Sequence, residues 1–165
     1  MQTETGSSFI ASIIFNIQGD EPLIEPGLLQ RLARKLKASP QVQIVTAAAP
    51  ISLEDSAAED IVKVVWDSKG DALYFSRSRI PFRRGSSTIS TYRHLGIYGY
   101  RRRALLDFIK MPPSSLEQAE QLEQLRALEN GMKIRVIVSE ASPLGVDTPE
   151  DATEVERLIL SRRSG

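Results

Sequence analysis

Two aspartates set the chemical question. Asp20 closes the run Gln18-Gly19-Asp20-Glu21-Pro22, and Asp147 sits within Gly145-Val146-Asp147-Thr148-Pro149-Glu150-Asp151. Each follows a strand-like run and precedes a turn or a helix. In an open α/β sheet, ligands bind outside the carboxyl ends of the strands. Two carboxylates meeting there suit Mg²⁺, which takes few protein ligands and keeps positions for water and phosphate oxygens. The same residues also fit a plain turn and a helix entry, and spacing alone does not choose between these readings. His94 is the single histidine, and a lone histidine is more often a structural hydrogen-bonding residue than a catalyst. Arg77 and Arg79, after Tyr74-Phe75-Ser76, could hold an anion by bidentate contacts or form a solvated edge. Tyr92, Tyr98 and Tyr100 alternate along one strand, where cross-strand packing is the plainer account. Glu123 and Gln124 read as surface polar residues of a helix. Arg101-Arg102-Arg103 reads as a solvated helix start, not a nucleic-acid patch.

The elements that would position these residues follow from pattern. Ile13 to Gln18 is a short, nearly continuous β-branched apolar run, the pattern of a strand buried on both faces. Gly19 to Pro22 breaks it. Pro26-Gly27 opens a helix with Leu28, Leu29, Leu32 and Leu36 at helical spacing, ended by Ser39-Pro40. Val42 to Ala48 reads as another strand, and the strand–helix–strand order argues for a parallel α/β sheet. Ile61 to Trp66 and Ala72 to Phe75 flank Asp67-Ser68-Lys69-Gly70-Asp71, a hairpin signal. Arg83 to Thr88 is a polar loop, Tyr92 to Tyr100 a strand, and Arg102 to Ile109 a helix. Ser114 with Glu117 forms a capping box for one helix, in which Leu116, Ala119, Leu122, Leu125 and Leu128 repeat until Gly131 closes it. That leucine stripe is core rather than a docking face. Lys133 to Val138 is a strand, and Thr148-Pro149-Glu150-Asp151 starts the last helix.

Composition excludes several classes. The chain has 165 residues, suited to one domain over 1–165 with a real core, and its 41% apolar and 25% charged content is ordinary for a globular protein. Lysine and arginine total 21, as do aspartate and glutamate, so no net charge draws it to nucleic acid or to an anionic membrane. The lack of cysteine removes disulfides, thiolate chemistry and cysteine metal sites. Met1 to Phe9 carries no positive n-region, and no apolar run approaches ~18 residues. A soluble, cytoplasmic protein is expected.

Several stretches, taken in order, resemble the CMP-Kdo synthetases (3-deoxy-manno-octulosonate cytidylyltransferases). They are Gln18 to Pro22, Val62 to Val65, Ala72 to Arg77 with Ile80-Pro81, Arg93-His94-Leu95-Gly96-Ile97-Tyr98-Gly99-Tyr100, Leu122 to Arg126, and Gly145 to Asp151. The first and last occur more widely among sugar nucleotidyltransferases, whereas the Arg93–Tyr100 and Tyr74–Arg77 blocks are more particular. The resemblance runs from about Ile13 to Leu160. It implies a Rossmann-like nucleotidyltransferase sheet, mixed and mostly parallel, with a β-hairpin excursion that helps form a homodimer. The implied reaction transfers CMP from CTP to 3-deoxy-D-manno-octulosonate (Kdo), releasing pyrophosphate, for lipopolysaccharide biosynthesis. By the same resemblance Asp20 and Asp147 would ligate Mg²⁺. Gln18, Arg77, His94, Tyr98, Glu123 and Gln124 would line the sugar-acid pocket, with Arg77 on the Kdo carboxylate.

The chain also departs from the pattern. The family opens with a strand and a loop rich in proline, glycine, arginine and lysine that wraps CTP, and a second basic motif follows; neither has a match here. Met1 to Ser12 holds no lysine or arginine. The resemblance therefore implies an N-terminally incomplete family fold, with Ile13–Ile17 as an apolar edge open to association. The polar loop after Pro81 is shorter than the family pattern. A non-catalytic protein that keeps the sugar-acid and dimer surfaces is the alternative, as is a cytidylyltransferase for a related sugar acid.

Overall fold

The computed structural model describes residues 12–19, 22–85, 89–139 and 149–163. Asp20, Glu21 and the segment around Asp147 lie outside the described residues, as do 1–11 and 86–88. The elements run β1 (Ile13–Ile17), α1 (Pro26–Ala38), β2 (Ile44–Ile51), β3 (Lys63–Trp66), β4 (Ala72–Ser76), β5 (Thr91–Arg101), α2 (Arg102–Phe108), α3 (Ser115–Glu120), α4 (Gln124–Glu129), β6 (Ile134–Val138) and α5 (Pro149–Arg163). A 3₁₀ turn covers Asp55–Ala57.

β5 organises one six-stranded sheet in the order β4-β3-β5-β2-β6, with β1 also paired to β5. β2 takes one edge of β5 along its whole length, while β3 and β1 share the other edge, β3 near Arg93 and β1 from Ile97 to Arg101. The sheet is mixed, as expected, but it is not mostly parallel. Four pairings are antiparallel and only β2–β6 is parallel among the described residues. β1 and β2 run in the same direction, but β5, far along the chain, enters between them and makes both contacts antiparallel. β1 is also an edge rather than a fully buried strand: Ile13, Ile14 and Phe15 are partly covered, while Asn16 and Ile17 are exposed.

Strand alternation sends successive side chains to opposite faces, and the two faces carry two cores. Val45, Ala47, Ala49, Leu95 and Ile97 meet Leu28, Leu32 and Leu36 of α1. Ile44, Ala48, Phe75, Tyr98, Tyr100, Ile134 and Val136 meet Ala104, Phe108, Leu122 and Leu125. Arg101 is not part of a solvated basic run. Its guanidinium donates to the carbonyls of Leu36 (2.6 Å), Ser39 (3.1 Å) and Val42 (2.8 Å), closing the C-terminus of α1, whereas Arg103 is 91% exposed in its side chain. Chain-end carbonyls of a helix lack intrahelical partners, and Arg101 supplies them.

The helix expected from Ser114 to Gly131 is two helices. Its first turn is capped as expected, the Ser114 N–H donating to the Glu117 carboxylate at 3.0 Å. At Gln121 the backbone turns left-handed, with φ 55°. An apolar repeat of three residues drifts round a helix of 3.6 residues per turn, so a single helix cannot keep the whole stripe on one face. The break resets the phase: Leu122 and Leu125 are both buried, whereas Leu116 stays 38% exposed.

Candidate active site

The break in that helix faces a cavity of about 550 Å³ opening over the α2/α4 face of the sheet, within the range of small-molecule sites. Its walls come from four places. Asn16 and Gln18 continue one face of β1; His94, Tyr98 and Tyr100 alternate along β5; Arg77 follows β4; and Gln121, Leu122, Glu123 and Gln124 form the helix break. Asp60, Val62 and Phe108 complete the lining. Gln18, Arg77, His94, Tyr98, Glu123 and Gln124, scattered over more than a hundred positions of sequence, thus surround one space.

The register explains how β5 reaches it. Between Thr46 and Ala47 the β2–β5 pairing shifts, from Thr46 opposite Tyr98 to Ala47 opposite Leu95. The buried Thr46 hydroxyl fills the gap by donating to the Ile97 carbonyl at 2.7 Å. Its oxygen lies 2.8 Å from His94 Nε2. Since the one hydroxyl proton is committed to Ile97, Nε2 is the protonated nitrogen and Nδ1 is left as an acceptor. Burial, and then the Arg93 charge, lowers the His94 pKa to about 3, so the ring is neutral. It packs edge-on to Phe75 at 5.1 Å and against Tyr98 at 5.2 Å, and Tyr98 lies 5.9 Å from Tyr100. Burial raises both tyrosines, Tyr98 well above its usual value and Tyr100 to about 12, with the Glu123 carboxylate adding to each. Both phenols therefore remain hydroxyls.

Gly96 lets Gln18 take its place. The Gln18 N–H donates to the Gly96 carbonyl at 2.9 Å, and a Cβ on Gly96 would sit 2.2 Å from Gln18 Oε1. Arg77 is held by carbonyls rather than carboxylates. Nε donates to Glu120 O at 3.0 Å and Nη1 to Glu59 O at 3.2 Å. Among the described residues, no carboxylate forms an ion pair with it. The cavity thus combines a guanidinium that makes no salt bridge to the described residues with hydroxyls, amides, a neutral imidazole and the carboxylates of Asp60 and Glu123. Such a set suits a small polyhydroxylated anion better than an apolar ligand.

The cytidylyltransferase family model matches residues 3–134 of this chain. The chain belongs to that family. It is 46% identical to the 3-deoxy-manno-octulosonate cytidylyltransferase of Geobacter sulfurreducens over 164 residues, covering 92% of this chain and 66% of that protein. The enzyme of the same name from Acidobacterium capsulatum is 46% identical over 157 residues, covering 94% and 64%. Among solved structures, CMP:2-keto-3-deoxy-manno-octonic acid synthetase complexed with CTP superposes with a TM-score of 0.87 at 40% identity, over 92% of this chain and 63% of that one. The chain spans about two thirds of the length of the relatives it matches. Family membership accounts for the mixed sheet with its flanking helices.

Of the residues singled out from sequence, Asp20 and Asp147 are the two that lie outside the described residues. Among the described residues, no group of three or more His, Asp or Glu side chains could hold a metal. Asn16, Asp60, Tyr100 and Gln121 line the cavity without having been singled out as ligand residues. Two carried a signal: Asn16 shares a strand face with Gln18, and Tyr100 with Tyr98, by the period of two. Asp60 lies in a loop and Gln121 at an unforeseen helix break, where no periodicity applies.

Proposed function

We propose that the chain is part of a CMP-Kdo synthetase, transferring CMP from CTP to Kdo. The observation that carries this reading is the convergence of the six pocket residues on one polar cavity, with the Arg77 guanidinium held there by carbonyls. The Kdo carboxylate pairs with Arg77 in a charge-assisted contact. His94 Nδ1 accepts from a sugar hydroxyl, and Tyr98, Gln18, Glu123 and Gln124 divide the remaining donors and acceptors. Held in that way, the anomeric hydroxyl gives up its proton to solvent and its oxygen bonds to the α-phosphorus of CTP as the α–β anhydride breaks and pyrophosphate leaves. Positioning and charge neutralisation are most of what a protein contributes to such a transfer. Asp20 and Asp147 would supply hard carboxylate oxygens of the kind that suits Mg²⁺, which would neutralise phosphate charge.

The same reading makes the β3–β4 hairpin and the chain after it a homodimer surface. Leu73 and Phe82 there are 62% and 88% exposed, and a partner subunit would cover them. Among the described residues no helix is long and apolar enough to cross a membrane, in keeping with a cytoplasmic enzyme supplying lipopolysaccharide synthesis. Pyrophosphate release from CTP, Kdo and Mg²⁺ tests the proposal. Release that requires all three and disappears in Asp20→Ala supports it. A folded chain that binds both substrates and releases nothing contradicts it.

A further inference from the structure

Lys63 is the largest side chain that is fully buried. Its ammonium carries three protons, and three carbonyls take them: Ala58 O at 2.8 Å, Ile61 O at 2.5 Å and Arg77 O. No carboxylate forms an ion pair with it among the described residues. Burying a cation without a paired anion is costly, and an apolar strand residue would pack here at less expense. What the ammonium gains is a tie between the loop before β3 and the end of β4, from which Arg77 projects. Glu120 closes the same frame from the helical side. Its carboxylate accepts from Ser76 Oγ at 2.6 Å and from the Arg77 N–H at 2.9 Å, and its carbonyl accepts from Arg77 Nε at 3.0 Å.

We propose that Lys63 and Glu120 are positioning residues that fix the Arg77 guanidinium at the carboxylate end of the sugar-acid cavity. Lys63 grips the Arg77 backbone carbonyl, and Glu120 grips its backbone N–H and its Nε. The guanidinium therefore has its root and one edge fixed, and among the described residues no carboxylate forms an ion pair with it. Lys63 also places a second positive charge close behind the first, which strengthens the field at that end of the cavity for a carboxylate.

The assignment rests on the sugar-acid reading of the cavity, and the experiment separates the two. Hydrogen exchange of the ¹⁵N-labelled Arg77 Nε–H is measured in the full chain and in Lys63→Met and Glu120→Gln. Kdo is then titrated into each, with and without Arg77→Ala. Glu120→Gln keeps the shape but sets an amide N–H₂ against a donor, so it carries the test where Lys63→Met does not fold. The expected result is Arg77 exchange about tenfold faster in the variants. The Kdo dissociation constant rises about tenfold, and the same substitutions are silent in the Arg77→Ala background. Unchanged exchange, or an equal loss of Kdo affinity with and without Arg77, overturns the assignment. Kdo that fails to bind the unaltered chain refutes the sugar-acid reading, and the exchange result still decides whether Lys63 and Glu120 hold Arg77.

Discussion

Replacing His94 by glutamine should make the protein less sensitive to acid. The ring is partly buried, donates to Thr46 at 2.8 Å, and has its pKa lowered from 6.5 to about 3 by burial and the Arg93 charge. The sign follows from linkage: between those values the unfolded chain binds a proton that the folded chain refuses, so stability falls as pH falls. The contribution is intact above 6.5 and declines until the folded ring itself titrates. From pH 7.5 to pH 5 the difference in protonation costs about 2 kcal/mol, and to pH 4 about 3 kcal/mol. The value at pH 5 hardly changes if the folded pKa moves by about one unit, since it stays well below that pH. Glutamine keeps an N–H donor for Thr46 without a titrating ring. Urea unfolding of both proteins at pH 7.5 and 5 isolates the His94 contribution, because carboxylates such as Glu120, whose pKa burial pushes up but hydrogen bonds from Ser76 and the Arg77 N–H bring down overall, titrate in both. Equal acid losses in the two proteins would refute the reasoning.

Other substitutions separate fold from site. Arg101→Met removes two contacts at the end of α1 and one to Val42 just beyond it and should lower the urea-unfolding free energy by about 2–3 kcal/mol, leaving Kdo affinity unchanged in calorimetry. Gly99→Ala would set a Cβ 2.7 Å from Phe15 and 2.8 Å from Val45, and overpacking of that kind should cost about 1–3 kcal/mol in the same unfolding assay. Gly96→Ala would set a Cβ 2.2 Å from Gln18 Oε1, 3.0 Å from its Cδ and 3.2 Å from its Cβ. It should cost about 1–3 kcal/mol of stability and weaken Kdo binding several-fold by displacing Gln18 from the cavity wall.

Local elements were readable because their signals are local. Pro26 with leucines four apart set α1, and the glycine-bearing turn between β3 and β4 set the hairpin. The Ser114–Glu117 pair set the start of α3. What the sequence concealed depends on distant partners. β5 enters between β1 and β2 and reverses their pairing, and Arg101 leaves its basic neighbours to close a helix more than sixty residues away. The leucine repeat suggested one helix, but its period of three does not match the helix period, and Gln121 breaks it. For the site, family motifs brought together six residues that spacing could not connect. Polar residues in irregular backbone, such as Asp60, carried no pattern to find. Lys63 sat within a recognised block, yet only its burial and its three carbonyl partners give it a task.

The central claim is that the cavity takes a sugar acid through Arg77. The direct measurement is calorimetric titration of Kdo and of its C1 methyl ester into the unaltered chain and Arg77→Ala. Kdo should bind the unaltered chain about 10–100-fold more tightly than the ester, the worth of a charge-assisted contact of about 1.5–3 kcal/mol, and the two should bind Arg77→Ala alike. Equal binding of acid and ester by the unaltered chain, or a preference that survives the loss of Arg77, would contradict it.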